Sequence, residues 1–225
     1  MTAASADVEV VRNARARRMR LSVDPSSGRV RLTLPPRASL KQGLAWAEEH
    51  RGWIDRQVAR LPEARPFAPG AVIPVEGEDV VIDWAAERPR TVSLVDGRLV
   101  CGGPIEGLPR RIETFLKRRA LAVLSEETAE FAVKAGVTIT FVAIGDPRAR
   151  WGSCASTGEI RYSWRLILAP PHVRRATVAH EVAHRVEMNH SRAFYTVLKG
   201  LLAADPAPAR AWLRRNGAAL HWVGR

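Results

Sequence analysis

The string His180-Glu181-Val182-Ala183-His184 constrains this chain more than any other feature. It follows Pro170-Pro171, a pair suited to a helix start, because proline fixes φ and lacks only an N–H that the first turn leaves unbonded anyway. At about 100° per residue, His180 and His184 lie roughly 40° apart, one turn from each other, so both imidazoles reach one point in space. Val178, Val182 and Val186 fall on the opposite side of a helix expected to run to about Asn189. Such a helix is wedged between an apolar core and a ligand-bearing face. With this chain's own composition the string arises by chance with a probability of about 1%, and with His190 six residues further on roughly 0.03%.

These residues suit a metal ion. Asn189 is a residue type that tolerates left-handed backbone, so a turn there brings His190 back as a third ligand. Three protein ligands leave a coordination position open for water, the arrangement of catalytic rather than structural zinc. Glu181 sits about 100° around from His180, where its carboxylate meets a metal-bound water and not the metal. The expected chemistry is hydrolysis with one zinc ion per chain, Glu181 as general base, and a peptide bond as the simplest target. His50, near Trp46 and Trp53, and His172, near the helix start, have no such company and are assigned surface or packing roles.

The rest of the chain supplies a frame for this helix. Met19, Leu21 and Val23 alternate with polar residues, a Pro-Ser-Ser-Gly turn follows, and Val30, Leu32 and Leu34 alternate again: a hairpin. Ser39 and Gln42 make a capping box for a helix over about 39–61. Short strands are expected over 71–74, 80–84, 91–95 and 98–101, with Gly77 and Gly97 as turn points. After Pro104 a long helical pattern carries Ile112, Leu116, Ala120, Val123 and Leu124 as far as Gly136. Strands over 137–142 and 160–168 follow, then the His180 helix and another capped by Ser191, broken at Asp205-Pro206-Ala207-Pro208. The expected division is a β-rich N-terminal part with one helix, residues 1–105, and a catalytic domain, residues 106–225.

At 225 residues, 46% hydrophobic and 26% charged, the chain can bury a sizeable core, which excludes disordered and fibrous classes. No run approaches the roughly 18 apolar residues of a membrane span, and residues 1–7 lack a signal's apolar core, so a cytoplasmic protein is expected. Cys101 and Cys154 are too few for a disulfide framework. The net charge of +12 raises the question of nucleic acid, but all but four of the 35 basic residues are arginine, a bias that codon composition also produces.

Trp151-Gly152-Ser153-Cys154, Trp164-Arg165-Leu166 with Pro170, the HExxH helix, and Asn189-His190-Ser191 with Phe194 stand in an order that resembles the YgjP-like zinc metallopeptidases, relatives of SprT and WLM-type proteases among the zincins. The resemblance is closest over residues 150–197 and extends to the β-rich N-terminal part. Ser163 stands where the family commonly has Asn, and Thr177-Val178-Ala179 replaces a Tyr-Val-Val-like lead. Metzincins share the ligand spacing but place Gly where this chain has Glu187. The resemblance implies an α+β fold: a zincin-like core with the active-site helix packed on a small β-sheet. It also implies a protein or peptide substrate. In zincins a strand beside the active helix binds substrate as an added strand, so Trp151, Gly152, Ser153 and Cys154 become candidates for the cleft, with packing roles for Trp151 and Cys154 as the alternative. Glu187 is either a hydrogen-bond partner behind an imidazole or a solvated helix-end carboxylate.

Arg12, Arg15, Arg17, Arg18 and Arg20 place five charges in nine residues. This is either a nucleic-acid strip, as SprT and WLM relatives act on proteins crosslinked to DNA, or the solvent face of an exposed strand. The absence of interleaved aromatics favours the latter. Two other functions stay open: a metal hydrolase of a nucleotide or other small molecule, and a nucleic-acid module with a vestigial metal site.

Overall fold

The computed structural model describes residues 8–225; the leading segment 1–7, read above for a signal, lies outside the described residues. They form a mixed α+β fold with three small sheets and six α-helices, in two compact units divided between Glu63 and Ala64. No helix among them is long and apolar enough to cross a membrane.

In the first unit β1 (Val8–Arg12), β2 (Arg20–Val23) and β3 (Val30–Leu34) form a sheet of order β1-β3-β2, with β1 parallel and β2 antiparallel to β3. The expected hairpin is the β2–β3 pair. Leu32, Leu34 and Ala47 form a small buried cluster beneath α1 (Leu40–Glu49), whose Ser39 cap accepts from the Gln42 N–H. Gly43 lets α1 approach the sheet, since a Cβ there would stand 2.7 Å from Leu34 Cδ2. The helix expected over 39–61 is interrupted: His50 leaves the helical region, its Nδ1 lies 2.8 Å from the Trp46 carbonyl, and α2 (Arg51–Val58) starts afresh.

The second unit, Ala64–Arg225, holds β4 (Val72–Val75), β5 (Glu78–Trp84), β6 (Ser93–Val95) and β7 (Arg98–Cys101) in the order β4-β5-β7-β6. The sequence reading placed these strands with the N-terminal part. They fall here because Ile73, Val75, Val80, Ile82 and Leu99 share one apolar core with α3 (Leu108–Ala135) and the elements C-terminal to it. Leu108, Ile112, Leu116, Ala120 and Leu124 recur every fourth residue along α3 and are buried, and Gly136 ends the helix in the left-handed conformation at φ 64°.

β8 (Phe141–Gly145), β9 (Gly152–Cys154) and β10 (Glu159–Ser163) make the third sheet, order β8-β10-β9, with β9 at an edge. β8 begins later than the strand expected over 137–142. Its register is set by parallel pairing with β10, from Phe141 opposite Glu159 to Gly145 opposite Ser163. The strand expected over 160–168 stops at Ser163, whose hydroxyl accepts from the Arg165 N–H and starts a 3-10 turn, Trp164–Leu168, buried throughout.

Three helices complete the unit: α4 (Pro171–Ala183), α5 (Arg192–Leu202), capped by Ser191 as expected, and α6 (Ala207–Leu220), which the sequence reading missed. α4 lies against α3, α5, α6 and β9. The β4–β5 turn also meets its start, for Glu76 and Gly77 have positive φ and a Cβ at Gly77 would stand 2.9 Å from the Pro170 Cα. Behind α4, Arg174 holds Glu127 of α3 through three contacts of 2.9–3.1 Å, both side chains being buried.

Candidate active site

α4 is shorter than expected. Its last residue is Ala183, and His184 serves as its C-cap at φ −64°, ψ −17°. Beyond it the bonding tightens to i→i−3, Arg185 N–H to the Val182 carbonyl and Val186 N–H to the Ala183 carbonyl, and the helix runs out in a turn over 184–186. Val186, expected on the apolar side, is consequently 49% exposed. The return does not use left-handed backbone at Asn189, which is absent from the residues of positive φ; Ser191 N–H donates to the Asn189 carbonyl at 2.7 Å, and the Ser191 hydroxyl then caps α5.

His190 is delivered between that turn and that cap. His180, His184 and His190 each offer a ring nitrogen, and these three atoms lie within 4.8 Å of one another. His190 Nε2 stands 3.1 Å from His180 Nε2. Phe194, fully buried on α5, packs against all three rings at centroid distances of 4.6–4.9 Å and limits their orientation. Burial pushes the His180 imidazole down to about 4, helped by His184 and His190, and burial likewise lowers His184. Both are thereby held in the neutral form that ligates metal. His184 Nδ1 lies 3.3 Å from the main-chain carbonyl of Glu187, which suits an Nδ1–H donor and leaves the Nε2 lone pair available to a metal ion. The Glu187 contribution is thus its carbonyl and not the carboxylate considered from sequence.

Glu181 is 6% exposed and lies against β9. Burial pushes its carboxyl up to about 7, against the pull of Arg150. Gly152 makes room for it, since a Cβ there would stand 2.5 Å from Glu181 Oε1 and 2.6 Å from Cγ. A cavity of about 260 Å³ opens beside His180 and Glu181, with apolar lining from Trp151, Ala176, Leu198, Pro206, Ala209 and Leu213. Trp151 combines both roles weighed for it: it lines this cavity, and it packs on α6, where a Cβ at Gly217 would stand 2.8 Å from its ring. Ser153 and Cys154 do not line the cavity, and Cys154 is outside the histidine group. Burial raises the Cys154 thiol, which disfavours the thiolate. Arg150 and Arg210 also line the cavity, and Arg210 comes from α6, so sequence spacing gave no signal for it.

The family description "YgjP-like, metallopeptidase domain" matches residues 17–216. The chain belongs to this YgjP-like family. Membership makes it a metallopeptidase-domain protein, and the metal that such a domain implies is consistent with the three neighbouring imidazoles. Among curated proteins none matches. Among solved structures, the metallopeptidase zymogen of Pyrococcus abyssi abylysin is similar over 40% of this chain and 93% of that one, with 13% identity and a TM-score of 0.37.

In the first unit the five arginines part company. Arg12 donates to the carbonyls of Pro35 and Pro36, whereas Arg15, Arg17, Arg18 and Arg20 line an open groove. Arg15, Arg17 and Arg18 lie in the connection between β1 and β2 and not on a strand face, and the groove also contains Trp46, His50 and Trp53. The aromatic residues missing from the local sequence are supplied by α1 and α2.

Proposed function

We propose that this YgjP-like chain is a zinc-dependent peptidase of zincin type, whose chemistry resides in the second unit. His180, His184 and His190 hold the ion and Glu181 is the general base. The observation that carries this reading is a buried carboxylate beside three clustered imidazoles, with Glu181 and His180 lining a largely apolar cavity next to an edge strand. The 3.1 Å between two Nε2 atoms suits zinc, because nitrogen ligands at about 2.05 Å in tetrahedral geometry stand about 3.3 Å apart. Held by His180, His184 and His190, a zinc ion would supply a lowered pKa for its water, toward about 7, and a Lewis acid for the scissile carbonyl.

The protein's own groups do the rest. Glu181, with a carboxyl near 7, accepts the proton of the attacking water and returns it to the leaving amine. β9 leaves one side unpaired in its sheet, so an extended peptide can add beside Trp151 and Gly152 through main-chain hydrogen bonds. The cavity then receives one apolar side chain. Because Arg150 and Arg210 line the cavity beside its apolar residues, it is membership in a metallopeptidase family that favours a peptide over a nucleotide.

Purified protein should contain about one zinc per chain and degrade unfolded casein. His184→Ala should lose the metal, and Glu181→Gln should keep it while losing turnover. Folded protein that takes up no metal would overturn the proposal, and activity retained by Glu181→Gln would remove Glu181 from the base role.

A further inference from the structure

The groove of the first unit has a volume of about 1010 Å³ and is open to solvent. That is the upper limit of small-ligand cavities, roughly 300–1,000 Å³, which are largely enclosed. Its cations are Arg15, Arg17, Arg18 and Arg20, and no Asp or Glu lines it. None of these four arginines has an ion-pair partner among the described residues, although Arg31 and Arg51 in the same unit pair with Glu9 and Glu48. Four like charges, three on a short connection and Arg20 at the start of β2, repel one another. They stay close because the backbone is pinned: Asn13 N–H donates to the Leu34 carbonyl, Ala16 N–H to the Asn13 carbonyl, and Arg15 N–H to Asn13 Oδ1. An uncompensated cluster of this kind attracts an extended anion.

The aromatic side chains narrow the choice of anion. Trp46 packs against the Leu32, Leu34 and Ala47 cluster and also lines the groove, so its ring is seated firmly. His50 lies 4.5 Å from it, centroid to centroid, tilted at 45°, and Trp53 follows from α2. Polyphosphate offers charge but no flat rings to meet these faces, acidic peptides do not carry a ring with every charge, and duplex nucleic acid keeps its bases stacked inside. A single strand presents phosphates at regular spacing together with free base faces, the two features that arginines and tryptophans recognise.

We propose that this groove binds single-stranded nucleic acid, with phosphates on Arg15, Arg17, Arg18 and Arg20 and bases against Trp46 and Trp53. The site is separate from the histidine cluster, and its test does not depend on peptidase activity.

The test is fluorescence anisotropy of the full chain with labelled dT and U oligomers of about 15 nucleotides, a length within the usual range of such sites, with duplex DNA and inorganic polyphosphate as competitors. Binding to either oligomer, displaced poorly by duplex and polyphosphate, supports the proposal, and the tighter of the two names the strand. Arg17→Gln with Arg18→Gln should flatten the salt dependence of log K by about 1.4, that is, about 0.7 for each phosphate left without its arginine. Trp53→Leu should weaken binding about 5-fold or more, and Trp53→Phe, which keeps a flat ring, should recover most of it. Absent binding, a salt slope unchanged in the arginine variant, wild-type affinity in folded Trp53→Leu, or equal displacement by polyphosphate would each overturn it. If Trp53→Leu fails to fold, the exposed arginine pair still decides the question.

Discussion

Gly152→Ala tests the site with one methyl group. A Cβ at this position would stand 2.5 Å from Glu181 Oε1, 2.6 Å from Cγ and 2.7 Å from Cδ, against 3.4–4 Å for ordinary contact. Restoring contact displaces the carboxylate by about 1 Å, since the backbones on both sides are held, Gly152 by pairing with Tyr162 and Glu181 within α4. A misplacement of that size at a catalytic group costs about 100-fold in turnover, equivalent to about 2.7 kcal/mol of barrier. Gly152 does not have positive φ, so alanine is compatible with its backbone and the damage is steric. The usual gain of about 0.4–1 kcal/mol from Gly→Ala is offset by overpacking of about 1–3 kcal/mol, leaving a modest loss of stability. The three atoms nearest the new methyl all belong to Glu181, so zinc content should be unchanged. Gly145→Ala in β8 is the control, because a Cβ there meets only Pro147 Cδ at 3.7 Å. The assay is casein degradation with zinc analysis and thermal unfolding of the same samples. Wild-type turnover in Gly152→Ala would refute the placement of Glu181 at the reacting centre.

Removing one partner of the buried Arg174–Glu127 pair should be far worse than removing both. Arg174→Met leaves the buried Glu127 carboxylate with only the 4.0 Å contact to Arg175 and should cost about 3 kcal/mol in urea unfolding, whereas adding Glu127→Leu should recover most of it; equal losses would contradict this. Glu130 is held down to about 2, first by hydrogen bonds from Arg175 and then by Lys134. A depressed carboxyl stabilises the fold above its ordinary value of 4.5, and that contribution disappears as pH falls toward 2. Arg175→Gln should therefore move the Glu130 carboxyl signal upward in an NMR pH titration, and an unmoved midpoint would count against the contact. Cys154→Ala should keep both zinc and turnover, and loss of metal would make the thiol a ligand after all.

Much of the candidate site was legible because a helix turn is a strong constraint: once Pro171 begins a helix, His180, Glu181 and His184 have fixed relative positions. The end of that helix was not legible. Residues 185–189 tolerate helix, and what stops them is the tertiary return that seats His190 on His180 and Phe194. α6 was missed because Asp205-Pro206-Ala207-Pro208 reads as a breaker, although proline in a first turn removes only an N–H with no helical partner. The buried run 164–168 fits a strand as well as a 3-10 turn until the Ser163 cap decides it. The groove on the first unit escaped a local reading for a different reason: its arginines and its tryptophans are some thirty residues apart in sequence.

An unpaired strand edge is also an invitation to other copies of the same chain, and edges of this kind are where sheets join into aggregates. β9 keeps that hazard small by its brevity. Three residues offer only a few main-chain groups, and the strand is flanked by Arg150 on one side and the tight turn closed by Gly158 N–H to the Ala155 carbonyl on the other. A visiting strand can be held there briefly but cannot zip onward into a growing sheet, so the edge proposed to admit a substrate also limits self-association.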